Sequence, residues 1–106
     1  MELAFSTKKL RVVCEIESKA IDLLGNDAAK RLQSRLADLS AVSVVTELIA
    51  GKPQECLFKN QESFTIEVFD NYKIFFQANH VNTPLLPSGG CDWAKVSRIK
   101  IVSIER

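Results

Sequence analysis

A chain of 106 residues with 46% hydrophobic and 25% charged side chains has the make-up of one globular domain, residues 1–106, large enough to bury roughly two-thirds of its unfolded surface without disulfide or metal staples. That composition excludes a disordered chain, a collagen-like repeat and a disulfide scaffold. A net charge of +1 excludes a molecule-wide field that would draw the protein onto nucleic acid or anionic membrane, so any polyanion site must be local.

Glu2 to Phe5 reads as a short opening strand, and Ser6-Thr7 supplies a hydroxyl cap for a helix with Leu10, Val13 and Cys14 on one stripe. The helix is expected to break or bend near Glu17 and resume with Ala20, Ile21 and Leu24 before Gly25 ends it. Asn26-Asp27 is expected to cap the next helix, residues 27 to 41, with Leu32, Leu36 and Leu39 inward. Its outer side carries Lys30, Arg31, Arg35 and Asp38, with Asp27 placed to pair with Arg31 four residues on. The short joint at Gly25 makes the two helices an antiparallel pair.

Residues 43 to 50 allow another turn or two before Gly51-Lys52-Pro53 interrupts them. The period then changes to two. Phe64, Ile66 and Val68 alternate with Thr65 and Glu67, and Asp70-Asn71 is a turn pair. Tyr72, Ile74, Phe76 and Ala78 then alternate with Lys73 and Gln77, completing a hairpin. Residues 79 to 92, rich in Asn, Pro and Gly, form a loop longer than usual connections and hence either functional or mobile. A last strand runs from about Val96 to Ile104, with a bulge near Val102-Ser103 needed to bring Ile104 into phase with Ile99 and Ile101. The expected class is α+β: an N-terminal strand and a helical pair packed on a small antiparallel-rich sheet.

The charge is unevenly spread. Residues 72 to 106 carry five bases and two acids, an excess of +3 on Lys73, Lys95, Arg98, Lys100 and Arg106. Cys14, Cys56 and Cys91 are odd in number and scattered, which predicts free thiols rather than a disulfide or a zinc site with the single His80. Trp93 is expected to anchor the long loop by burial. The opening residues lack a basic, apolar leader and no window reaches the length of a membrane span, so a cytoplasmic protein is expected.

The local strings carry a resemblance. Leu3-Ala4-Phe5-Ser6-Thr7-Lys8-Lys9-Leu10, Arg35-Leu36-Ala37-Asp38-Leu39, Gly51-Lys52-Pro53, Asn71-Tyr72-Lys73-Ile74-Phe75-Phe76 and Gly89-Gly90-Cys91-Asp92-Trp93-Ala94-Lys95-Val96 together resemble the RelE/ParE superfamily of toxins, and within it the HigB type, the plasmid maintenance killer proteins. The resemblance implies a RelE/ParE-like fold and the toxin of a type II toxin–antitoxin system. Such a toxin enters the ribosome and cleaves messenger RNA, and a HigA-like helix-turn-helix antitoxin silences it. It implies partners in the antitoxin, the ribosome and mRNA, and neither membrane, metal nor cofactor.

HigB-type members commonly carry a His before the first central strand and a carboxylate, Tyr and His at the C-terminus; this chain has Gln54 and Glu105-Arg106 instead. RelE-type relatives manage with Lys, Arg and Tyr. The resemblance therefore points to Tyr72, Lys73, Arg98 and Arg106 as catalytic residues and to Lys59, Lys95 and Lys100 as RNA-binding ones. A ParE-like gyrase inhibitor and a decayed toxin that keeps only antitoxin binding are the alternatives the sequence leaves open.

Overall fold

The computed structural model describes all residues, 1–106. Strand β1 (Glu2–Phe5) leads into helices α1 (Lys8–Glu15), α2 (Glu17–Leu24) and α3 (Asn26–Ala41). A single 3₁₀ turn, Val45–Glu47, precedes strands β2 (Gln54–Phe58), β3 (Gln61–Phe69) and β4 (Tyr72–Ala78). A second 3₁₀ turn, Trp93–Lys95, leads into β5 (Arg98–Glu105). The five strands form one sheet in the order β1-β5-β4-β3-β2, with β1 parallel to β5 and every other pair antiparallel.

The local chemistry accounts for most boundaries. Thr7 caps α1, its hydroxyl accepting from the Leu10 N–H at 3.1 Å. Ile16, with extended backbone, separates α1 from α2. Gly25 ends α2 at φ +90° and also serves as the cap of α3, so Asn26 is already helical and the expected Asn-Asp cap is not used. The far end of α3 is met by the Met1 ammonium, which donates to the carbonyls of Leu39, Ser40 and Val42, three of the groups a helix C-terminus leaves unpaired.

The helices lie against one face of the sheet. Leu32, Leu36 and Leu39 of α3 meet Ile66, Ile74, Phe76, Ile99 and Ile101 in one buried cluster with Val13 and Cys14 of α1. Leu32 and Leu39 have no exposed area, so each contributes about 1.5–3 kcal/mol by leaving water. Ile104 joins that face because Phe76 pairs with Ile101 and Phe75 with Ser103. Val102 is left unpaired, which is the bulge the strand's phase demanded.

Strand β2 was not expected. Its helix-side residues, Glu55 and Leu57, stay exposed because no helix reaches that edge, and without a buried face the sequence shows no alternation. The Lys59-Asn60 turn that joins it to β3 has φ +51° and +65°, the mirror-turn geometry of two-residue hairpins. The long loop is pinned rather than free-standing. Leu85 bridges Cys91, the Cys91 N–H donates to Glu62 Oε2 at 2.7 Å, and Trp93 is buried edge-on to Phe64 with centroids 4.9 Å apart.

Candidate functional site

Alternation along the strands leaves a second sheet face that no helix covers. It presents Gln54, Cys56 and Phe58 of β2, Ser63, Thr65 and Glu67 of β3, Lys73, Phe75 and Gln77 of β4, and Lys100, Ser103 and Glu105 of β5. Phe58 and Phe75 come from strands separated by β3, yet their rings meet with centroids 4.9 Å apart. Beneath this span, Ser63 and Thr65 are buried although no element packs on them. Ser63 accepts from Gln77 Nε2 at 3.1 Å, whereas the Thr65 hydroxyl has no partner.

The cations border this aromatic pair. Lys59 holds its ammonium 5.6 Å from the Phe58 ring centroid. Lys100 stands beside Gln77, and Lys73 stands between Glu67 of β3 and Glu105 of β5 in the register. Lys73 forms none of the ion pairs in the protein. Its charge is nonetheless felt: burial pushes the Cys56 thiol up, and the Lys73 ammonium pulls it partly back.

The Asp70-Asn71 turn, with φ +51° and +66°, places Tyr72 next to Lys73, and Arg106 follows Glu105, the β5 partner of Lys73. Arg106 Nη2 donates to Asp70 Oδ2 at 2.6 Å, and its guanidinium lies 4.4 Å above the Tyr72 ring. Tyr72 shares the helix-side phase of Ile74 and Phe76, so it borders the open face from below.

Three of the sequence candidates thus converge at the turn end of the β3–β4 hairpin: Tyr72, Lys73 and Arg106. Arg98 does not join them. Ala78 pairs with Ile99 and Lys73 with Glu105, so a strand rise of roughly 3.3 Å per residue puts Arg98 about 20 Å from Lys73. There it pairs with Glu2 at 2.9 Å. A single phosphate cannot engage both, which corrects the expectation of one cationic constellation. Lys95 stands off the sheet in the 3₁₀ turn, 3.9 Å from Asp92. His80 Nε2 accepts the Ser97 and Arg98 N–H groups at 3.1 and 3.3 Å, which places it at the same distant corner as a backbone staple.

Sequence reasoning did not single out Phe58, Phe75 or Thr65. Phe75 left a signal, an aromatic residue at a polar position of an alternating strand. Phe58 left none, because β2 itself was not legible.

Chemically, the arrangement sets the positive charge of Lys73 and Arg106 beside the carboxylates Glu67 and Glu105 and an aromatic pair, groups able to stabilise an anionic phosphorus centre and to stack against planar rings. Comparison of the chain with family models, with curated proteins and with solved structures finds no match.

Proposed function

We propose that this protein is the toxin of a type II toxin–antitoxin pair and acts as a ribosome-dependent endoribonuclease on messenger RNA. The observation that carries the reading is the helix-free sheet face, on which the Phe58–Phe75 pair lies among Lys59, Lys73 and Lys100. Single-stranded RNA is recognised by stacking its splayed bases on aromatic side chains while cations track the backbone. The sequence resemblance to RelE/ParE toxins, whose strings include Lys73 and Phe75, supports the same reading and adds the partners, the ribosome and a helix-turn-helix antitoxin. On this reading Lys73 neutralises the reacting phosphate and Glu67 or Glu105 receives the 2′-hydroxyl proton as the 2′-oxygen bonds to phosphorus, while the bond from phosphorus to the 5′-oxygen breaks and that leaving oxygen takes a proton from water.

A second reading, a toxin that retains antitoxin binding without cleavage, is favoured by the position of His80. The only imidazole is spent on the backbone of β5, about 20 Å of strand from Lys73. Induction of the chain alone in bacteria, with primer extension on messenger RNA, separates the two. Translation arrest with cut messages supports the endoribonuclease. Normal growth with intact messages and a retained antitoxin complex supports the second reading, and filamentation with DNA damage overturns both in favour of gyrase inhibition.

A further inference from the structure

A notch of about 290 Å³ opens at the hairpin end, between α3 and the Asp70-Asn71 turn, at the rim of the open face. Arg31, Arg35, Lys52 and Lys73 line it, against the two carboxylates Glu67 and Asp70. Its ionic groups are unequally committed. Arg35 donates from Nε to the Glu67 carbonyl at 2.9 Å and pairs with Asp38 at 3.2 Å, so it is a structural tie between α3 and β3. Asp70 is taken by Arg106 at 2.6 Å, and Lys52 faces the Glu67 carboxylate loosely at 3.8 Å.

Arg31 and Lys73 remain, each with no carboxylate within 4.0 Å. The Arg31 guanidinium rests over the Phe69 ring at 5.9 Å instead of pairing with Asp27 as its helix spacing suggested. That contact holds the planar group at the notch while its N–H donors stay free for a bidentate oxyanion. The floor is shaped by Gly51, which runs so close to β3 that a Cβ there would stand 2.9 Å from the Glu67 carbonyl oxygen.

Lys73 belongs to both places: it is an open-face residue by register and a lining residue of the notch. We infer that the notch is a second phosphate subsite. On that inference a single strand crossing the open face turns around the hairpin end, and its next phosphodiester sits between Arg31 and Lys52 while Lys73 serves the phosphate on the open face. This rests on the proposed RNA reading and extends it to α3, which that reading does not use.

The test uses the full chain and a ten-nucleotide 2′-deoxy single strand, which binds without being cut, titrated by fluorescence anisotropy over a range of salt. Each phosphate contact adds about 0.7 to the slope of log affinity against log salt for single strands. Arg31→Gln is expected to weaken binding roughly tenfold at low salt and to flatten that slope by about 0.7. Lys30→Gln, one residue away on the exposed face of α3, should change neither quantity. Arg31→Gln binding with wild-type slope while Phe75→Ala loses affinity overturns the subsite and leaves the open-face reading standing. Absence of wild-type binding at low salt overturns both. An Arg31 dependence confined to a duplex RNA of equal length overturns the continuous single-strand path.

Discussion

At Lys73, charge, register and solitude coincide: it has a carboxylate on each neighbouring strand and an ion pair with neither. Arg98 is its opposite, committed to Glu2 at the far corner. If cleavage runs at the hairpin end, Lys73→Ala should lower mRNA cleavage about a hundredfold, the usual cost of one positioned charge donor. Arg98→Ala should stay within a few-fold of wild type. Primer extension on equal amounts of folded variants reads the contrast, and equal losses would mean that both ends of the sheet touch RNA.

The buried thiols give a prediction of another kind. Burial raises the Cys14 thiol from 9.0 to about 12 and, with the nearby acids Glu62, Asp92 and Glu55, the Cys91 thiol to about 11. The folded protein therefore holds protons that the unfolded chain releases above pH 9.0. The stabilisation is whole below that pH and is lost progressively as pH rises toward about 11 at Cys91 and about 12 at Cys14. Urea unfolding between pH 8 and pH 11 should show a fall of up to about 1.4 kcal/mol per pH unit for each thiol. Cys14→Ala should remove its own share of that slope and leave the share of Cys91.

Among the elements, the hairpin β3–β4 was legible because both strands bury one face and expose the other, and its turn residues sit where positive φ is needed. The bulge at Val102 was legible for the same reason, since Ile104 had to face the core. Strand β2 and the α3 cap were not: one has no buried face, and the other uses Gly25 rather than a side chain. Two substitutions probe what joins these elements. Gly51→Ala places a methyl against the Glu67 carbonyl at a residue with φ +82°, so it should cost about 1–3 kcal/mol in urea unfolding. His80→Ala strips the acceptor from two N–H groups at the start of β5. It should cost about 1–3 kcal/mol and leave cleavage by folded protein unchanged. Loss of cleavage without loss of stability would instead place the chemistry near the long loop.

For the molecule as a whole, the decisive feature is that all three helices lie on one side of a five-stranded sheet. The segment counts of charge located the cations in sequence, but only strand order could show that Lys73 and Lys100 share a face with Lys59 and that Lys95 does not. The two sides of β4 are accordingly separable by mutation at adjacent positions. Phe76 is fully buried beneath the helices, so Phe76→Ala should cost about 3–5 kcal/mol and unfold a marginal domain. Phe75 is half-buried on the open face, where its ring meets that of Phe58. Phe75→Ala should cost far less stability, yet it should weaken single-strand binding by about 1–3 kcal/mol, the worth of one stacked base. Urea unfolding and anisotropy on the same samples measure both quantities. If Phe75→Ala destabilises the fold as Phe76→Ala does while RNA binding by the folded fraction is intact, the aromatic pair is a second core and the open face has no role in recognition.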